Sequence, residues 1–252
     1  MNLFYYGQAN LRELFHSGNH HISLPDDEAA HLKVFRMKQG DLLLVTDGMG
    51  QLAKAVVVEI TNKSNILQIT EVRSYPQPQH TIHIAVAPTK NLARFEWFLE
   101  KATEIGIDEI TPFFGEHSER VNLRPDRLNK VLVSAMKQSL KPYLPKLNEP
   151  VTLREFLNRS SNTGNQFIAW LDKNSEQLHL KKRIAVNKPA TILIGPEGDF
   201  SLQEVESAKA KGFIPVCLGS SRLRTETAAL AACFIVNLVN EPDLSGYPLT
   251  FE

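Results

Sequence analysis

Two glycine-containing loops near the carboxyl end of the chain have the residue types and spacing of a small-molecule site. The first, GPEG at residues 195–198, follows the apolar run TILI, and the second, residues 218–227, follows the apolar run FIPVCL. Glycine lets the backbone approach a ligand closely, and parallel α/β sheets bind ligands at the carboxyl ends of their strands. GPEG alone also fits an ordinary β–α turn. Two such loops on neighbouring strands predict a convergent pocket for a nucleotide-like molecule.

Charged side chains in these loops could act on the ligand or its reaction partner. Arg222 and Arg224 flank the apolar Leu223 and offer two cations beside a hydrophobic contact. Glu197 would lie at the carboxyl end of a strand, whereas Glu226 lies in the first turn of a predicted helix. Glu226 can therefore be a reacting carboxylate or can simply complement the helix dipole.

The same loops contain helix start signals. Ser201 and Glu204 have the spacing of a capping box, in which each side chain accepts a hydrogen bond from the other's backbone N–H. Thr225 is predicted to be the N-cap of a long helix that ends near Asn240. Both helices would therefore begin directly beside the predicted pocket.

The commonest nucleotide-binding patterns are missing. A dinucleotide site would place GxGxxG after the first strand of the α/β region, but TKNLARFE follows IHIAVAP there and contains no glycine. The phosphate-loop spacing GxxxxGK[ST] is also absent. The ligand must therefore be bound by another kind of fold.

The order of elements predicts two domains. The segment before residue 75 reads as short strands (HISL, DLLLVTD, AKAVVVEI and ILQITEV) with one helix from Asp26 to Arg36, which favours a small β-barrel. Two prolines in residues 74–79 suggest a stiff connector. Strands then alternate with helices, over about 91–105, 125–140 and 153–158, which predicts a mostly parallel α/β sheet. We expect domains at 1–75 and 80–252.

Composition restricts the class of protein. Lysine plus arginine and aspartate plus glutamate both number 28, which argues against a binder with a global positive field but allows a local basic groove. The two cysteines, Cys217 and Cys233, lie in apolar runs and are expected to be buried thiols in a reducing compartment. We see no secretory signal and no apolar run of membrane-spanning length. These features predict a cytoplasmic protein without membrane contact.

At this point the residues resemble a known family. GPEGDFS followed by LG and RLRTETA is similar to the SPOUT methyltransferases, and within them to the RsmE family. The resemblance extends through DEAAHLKVFRMKQGDLLLVTDGMG in the first domain and KNLARFEWFLEKATEIGIDEITPFF in the middle. Some positions depart from it: residues 137–141 read KQSLK where many members have EQS-x-R, and MNLFYY lacks an early arginine.

The resemblance implies fold, cofactor and activity. It implies a PUA-like β-barrel followed by a SPOUT domain with a C-terminal trefoil knot, a rare exception to unthreaded topology. The glycine loops would form the knot and bind S-adenosylmethionine. The implied reaction is methylation of N3 of a uridine in small-subunit (16S) ribosomal RNA by a homodimer.

Site residues follow from the loops and the resemblance together. The expected cofactor-binding residues, largely through their backbone, are Leu171, Gly195, Pro196, Glu197, Gly198, Leu218, Gly219, Leu223, Arg224 and Thr225. For catalysis we expect Arg224 to stabilise negative charge on the uracil and Glu197 or Glu226 to accept the N3 proton. The expected RNA-binding residues are Arg36, Arg120, Arg124, Arg127, Lys137, Gln138 and Lys141, with Lys130 in the same series. No metal is expected, and His16, His20 and His21 are interpreted as surface histidines.

Other functions remain compatible with the residues. One is a ribose 2′-O-methyltransferase of the same fold acting on transfer or ribosomal RNA. Another is an RNA-binding ribosome-assembly factor without catalysis, which would fail to bind S-adenosylmethionine. A hydrolase using Glu197 is less favoured because no Ser/His/Asp or metal constellation accompanies it.

Overall fold

The computed structural model describes residues 1–61, 64–77, 79–119, 122–160, 164–171 and 178–241. The chain divides into two compact units: Met1–Pro78 with Asn129–Pro145, and Gln79–Leu128 with Lys146–Glu252. Residues 129–145 thus group with the first unit although they follow the connector in sequence. In the described ranges no helix has the length and apolar character needed to cross a membrane.

The first unit is built on a five-stranded sheet. Its elements are β1 (Leu3–Tyr5), α1 (Leu11–His16), β2 (His21–Ile22), α2 (Asp26–Val34), β3 (Leu42–Thr46), β4 (Gln51–Ile60) and β5 (Asn65–Ser74). The strand order is β1-β3-β4-β5-β2, with β1 parallel to β3 and the other pairs antiparallel. Alternate residues of β4 and β5 bury apolar side chains, as a sheet with one solvated face requires.

Local backbone geometry adjusts two sequence predictions in this unit. Helix α2 ends at Val34 instead of Arg36, because Phe35 is the C-cap and Arg36 has a left-handed φ of 53°. The short helix α1 was not predicted. Asn10 caps it by accepting hydrogen bonds from the backbone N–H groups of Arg12 and Glu13.

The second unit contains a mostly parallel sheet. Its elements are β6 (Ile82–Val86), α3 (Leu92–Ile105), β7 (Glu109–Phe114), β8 (Lys146–Leu147), β9 (Val151–Thr152), α5 (Leu153–Arg159), β10 (Asn165–Ala169), β11 (Ala190–Ile194), α6 (Leu202–Ala210), β12 (Ile214–Val216) and α7 (Thr225–Asn240). Helix α4 (Pro125–Gln138) has its first residues in this unit and the others in the first unit. The strand order is β12-β10-β11-β6-β7-β8, with β9 pairing β7, and every pair is parallel. The predicted fold class is confirmed in this sheet, whereas the trefoil knot stays an implication of the family resemblance.

Helix α3 shows why the predicted bounds hold in this unit. Asn91 caps its first turn, and Gly106 ends it in the left-handed conformation with φ of 119°. Phe95, Phe98 and Leu99 are buried, and α3 packs against α7. The apolar side chains whose helical spacing predicted α3 thus lie on the face that packs into the core.

Candidate cofactor and substrate site

Three parallel strands end side by side at the candidate site. Strands β12, β10 and β11 are neighbours in the sheet, so their carboxyl ends meet at one edge. A cavity of about 480 Å³ opens there, between the segments that follow these strands and the first turn of α7. Its walls include residues 169–171, 194–197, 216–219 and 221–225. The two glycine loops therefore converge on one cavity.

Most of the predicted cofactor residues line this cavity. They are Leu171, Gly195, Pro196, Glu197, Leu218, Gly219, Leu223, Arg224 and Thr225. Gly198 is the exception, because it lies outside the lining and faces the side chain of His117. A Cβ at residue 198 would lie 2.9 Å from the His117 Cβ. The small size of Gly198 thus serves packing against His117.

The first loop is held by its neighbours. The Asp199 N–H donates to the Pro196 carbonyl (3.0 Å), and Asp199 adopts φ of 65°. A Cβ at Gly195 would lie 2.9 Å from Cε2 of Phe200, whose ring is buried. Glycine is therefore required at 195 by packing inside the loop itself.

The predicted capping box at the start of α6 is confirmed. The Ser201 hydroxyl accepts from the Glu204 N–H (3.3 Å), and the Glu204 carboxylate accepts from the Ser201 N–H (2.9 Å). Glu204 also accepts from the Glu116 N–H (2.8 Å). One carboxylate therefore fixes the helix start and the loop after β7 together.

The predicted cap of α7 is wrong. Arg224 occupies the N-cap position with extended backbone and makes no side-chain cap, and Thr225 is the first helical residue. The Thr225 hydroxyl instead donates to the Gly195 carbonyl (3.0 Å). Thr225 does not cap the helix because it lies one position past the N-cap, and its hydroxyl ties the two glycine loops together.

Three arginines lie at the cavity. Arg222 and Arg224 are exposed, and no side-chain partner is found for either within the described residues. Arg94, in the first turn of α3, was not predicted, and its Nε lies 3.8 Å from Oε1 of Glu226. Strand β6 neighbours β11, so the helix that follows β6 begins at the edge where the cavity opens. Arg94 was missed because this strand order is not specified by the sequence alone.

The two candidate carboxylates have different surroundings. Glu197 is exposed, lines the cavity and accepts a hydrogen bond from the Lys90 N–H (3.0 Å). Glu226 is only 7% exposed and lines an open groove beside the cavity instead of the cavity itself. Its Oε2 is buried without a hydrogen-bond partner in the described part of the chain.

Several predicted RNA contacts are engaged in ion pairs. Lys137 donates to Glu28 (2.6 Å), and its side chain is 15% exposed, so this cation has a structural partner. Arg127 pairs with Glu96, which raises the pKa of the guanidinium above its usual value. Of the remaining predictions, Arg36, Arg124 and Gln138 are exposed, Lys141 is half-buried, and Arg120 lies outside the described residues.

The cavity fits S-adenosylmethionine in size and lining. A volume of about 480 Å³ falls in the range of small-molecule pockets. Leu171, Val216, Leu218 and Leu223 offer apolar contacts for an adenine ring, while the glycine loops expose backbone donors and acceptors. Within the described residues, no group of three or more His, Cys, Asp or Glu side chains could hold a metal ion.

Comparison with known proteins agrees with this geometry. A crystal structure of a probable rRNA-methyltransferase from Porphyromonas gingivalis is 40% identical, with a TM-score of 0.85, over 95% of this chain and 98% of that one. The ribosomal RNA small subunit methyltransferase E of Mesomycoplasma hyopneumoniae is 29% identical over 206 residues, which cover 79% of this chain and 86% of the relative. The same enzyme from Neisseria gonorrhoeae, crystallised with S-adenosyl methionine, is 24% identical and shares the fold, with a TM-score of 0.82 over 95% of this chain and 98% of that one.

Two family models match successive parts of the chain. Residues 24–70 match the RNA methyltransferase PUA domain, and residues 76–237 match the RNA methyltransferase domain. The family resemblance found in the sequence is thereby confirmed. The chain belongs to the RNA methyltransferase family, with a PUA domain preceding the methyltransferase domain.

Proposed function

We propose that this protein transfers a methyl group from S-adenosylmethionine to N3 of a uridine in small-subunit ribosomal RNA. The observation that carries the proposal is the cavity at the carboxyl ends of β10, β11 and β12, in a chain of the RNA methyltransferase family. The names of the relatives supply the substrate class. Residues 1–75 would bind RNA as a PUA-like domain, and residues 80–252 would carry out the transfer.

Bound S-adenosylmethionine supplies a methyl group attached to a positively charged sulfur. Transfer of this methyl group is an in-line displacement. The protein must then hold the acceptor nitrogen in line and steady the negative charge that develops on the uracil. Arg224 suits the second task because it lines the cavity, is exposed and has no side-chain partner in the described ranges. The backbone of both glycine loops, joined by the Thr225–Gly195 hydrogen bond, keeps the cavity in shape.

RNA binding would use the exposed cations away from the cavity. Arg36 and Arg124 are exposed and suit phosphate contacts, as does Arg120 by its place in the sequence. Lys141 and Gln138 would extend this set, whereas the partnered Lys137 and Arg127 would contribute less. Binding should weaken steeply with salt because each phosphate contact releases counterions.

We also propose a cytoplasmic homodimer. Helix α7 exposes Phe234 and Leu238, with 54% and 47% of their surfaces accessible. These residues are four apart and so share one face of the helix. A second copy of the chain would bury these apolar side chains.

The test is a methylation assay on small subunits and on naked ribosomal RNA from cells that lack the enzyme. Nucleosides are analysed by mass spectrometry after incubation with S-adenosylmethionine. We expect one 3-methyluridine to appear with the wild-type protein, and Arg224→Ala to lose at least about 100-fold in rate while calorimetry shows unchanged cofactor binding. A ribose-methylated product, or full activity of Arg224→Ala, would contradict the assignment.

A further inference from the structure

A groove beside the cavity brings together an aromatic side chain, cations and a buried carboxylate. It is formed by the first two turns of α3 and by residues 222–227, which lead into α7, and it includes Arg94, Trp97, Arg224 and Glu226. Arg94 and Arg224, together with Arg222 and Leu223, also line the cofactor cavity. A base held in this groove would therefore lie next to the methyl donor.

One oxygen of the Glu226 carboxylate is buried and unpaired within the described residues. The residue is 7% exposed, and its Oε2 has no partner among the described groups. Arg94 lies 3.8 Å from the other oxygen, which compensates charge but is too long for a hydrogen bond. A buried acceptor without a donor is unfavourable, so such groups in native proteins call for an explanation. A ligand N–H would supply what is missing.

Uracil carries the complementary pattern. Its N3–H is a donor between two carbonyl oxygens, so a carboxylate can accept from N3 while guanidinium groups donate to the oxygens. Cytosine has an unprotonated N3, whose lone pair would face the carboxylate and be repelled. The Trp97 ring, 42% exposed, offers a stacking surface for the base.

We propose that Glu226 selects uridine by accepting its N3–H and then removes that proton, with Arg94 positioning the carboxylate and Trp97 stacking on the base. This inference rests on the proposed uridine-N3 activity. In the step, the N3–H bond breaks and the proton passes to Oε2. The N3 electron pair forms the new N–C bond, and the methyl C–S bond breaks with its electrons left on sulfur. Glu226 later releases the proton to water.

The first test separates base catalysis from a structural role. Glu226→Gln keeps size and hydrogen-bonding capacity but cannot take a proton at neutral pH. We expect kcat at pH 7 to fall by at least about 100-fold with KM nearly unchanged, and activity to recover as pH rises because hydroxide or ionised uridine replaces the base. The exposed Glu206→Gln on α6 is the matched control.

The second test needs no methyl transfer. Short RNAs containing a single uridine, 3-methyluridine or cytidine are titrated in the presence of S-adenosylhomocysteine, with fluorescence anisotropy as the readout. The wild type should bind the uridine RNA best, and Glu226→Leu, which removes the acceptor, should lose at least half of that preference on the logarithmic scale. Equal binding of all three RNAs by the wild type would overturn the selection role.

Arg94 and Trp97 provide independent variants should Glu226→Gln fold poorly. We expect Arg94→Met to lower kcat about tenfold and to shift the pH–rate profile, because the carboxylate loses its cation, and Arg94→Lys to restore both in part. Trp97→Phe should retain RNA affinity better than Trp97→Ala. A Glu226→Gln kcat within threefold of the wild type would overturn this inference alone, whereas absence of 3-methyluridine from the wild-type reaction would overturn the proposed function.

Discussion

At the amino ends of β6 and β7, His83 lies in a polar network opposite the cofactor edge of the sheet. Its Nε2 is 2.7 Å from the Thr111 hydroxyl, and its Nδ1 is 4.0 Å from Glu109. Burial lowers the pKa of His83 below the usual 6.5; Glu109 opposes this shift, and Lys146 adds to it. The neutral imidazole is therefore the form that the folded protein favours.

This histidine makes stability depend on pH. The unfolded chain takes up a proton near pH 6.5 while the folded protein resists it, so the free energy of unfolding should fall as pH drops below 6.5. We expect His83→Gln to flatten the dependence of Tm on pH between 7 and 5.5, measured by calorimetry. The exposed His21→Gln should keep the wild-type slope. Equal slopes in all three proteins would contradict this account.

The residues that sequence could identify were those fixed by local chemistry. GPEG and RLRTETA indicated the cavity because glycines and charged residues directly after a strand are typical of a ligand site. That signal is local in sequence and does not depend on which distant residues pack nearby. Arg94 and Trp97 escaped notice, since their place depends on β6 lying beside β11, which a single sequence does not specify. The role of Thr225 was missed because its partner, Gly195, is 30 positions away.

At the scale of elements, the glycine loop after β11 packs too tightly to accept a side chain. A Cβ at Gly195 would lie 2.9 and 3.0 Å from two atoms of the buried Phe200 ring. That ring stacks on Phe113 with centroids 6.0 Å apart, so it has little room to move. The loop and the start of α6 are therefore one packed element.

Gly195→Ala should consequently both destabilise the protein and weaken cofactor binding. Overpacking of this kind costs about 1–3 kcal/mol, measurable by urea unfolding, and calorimetry should show a lower affinity for S-adenosylmethionine. Phe200→Leu in the same chain is the compensating change, because a smaller side chain gives the new methyl group room. If Gly195→Ala alone keeps wild-type stability and affinity, the loop is more adaptable than its contacts indicate.

Helices and strands were predicted best where a clear apolar periodicity ended at a residue that terminates the element. Helix α3 has its apolar spacing and ends at Gly106 as expected. The two-residue strands β8 and β9 carry no such pattern, because their pairing depends on the neighbouring strand β7. Helix α1, with six residues, is likewise too short for a periodic signal.

At the scale of the whole molecule, the exposed face of α7 predicts self-association. We expect the wild type to sediment as a dimer, and the double variant Phe234→Glu, Leu238→Glu to sediment as a monomer in analytical ultracentrifugation, because carboxylates would be buried in an apolar contact. Leu202→Glu is the control, since Leu202 is 74% exposed on α6. Wild-type protein with the mass of one chain would refute the dimer.

The strand order also determines when the cavity can exist during folding. Strand β11 lies between β6 and β10, both of which precede it in the chain. It must therefore enter a gap between strands already synthesised, and α7 can supply Thr225 to the Gly195 carbonyl only afterwards. Pairings so distant in sequence form slowly. The cavity, and with it the cofactor site, can therefore be complete only after β11 and the start of α7 have taken their places.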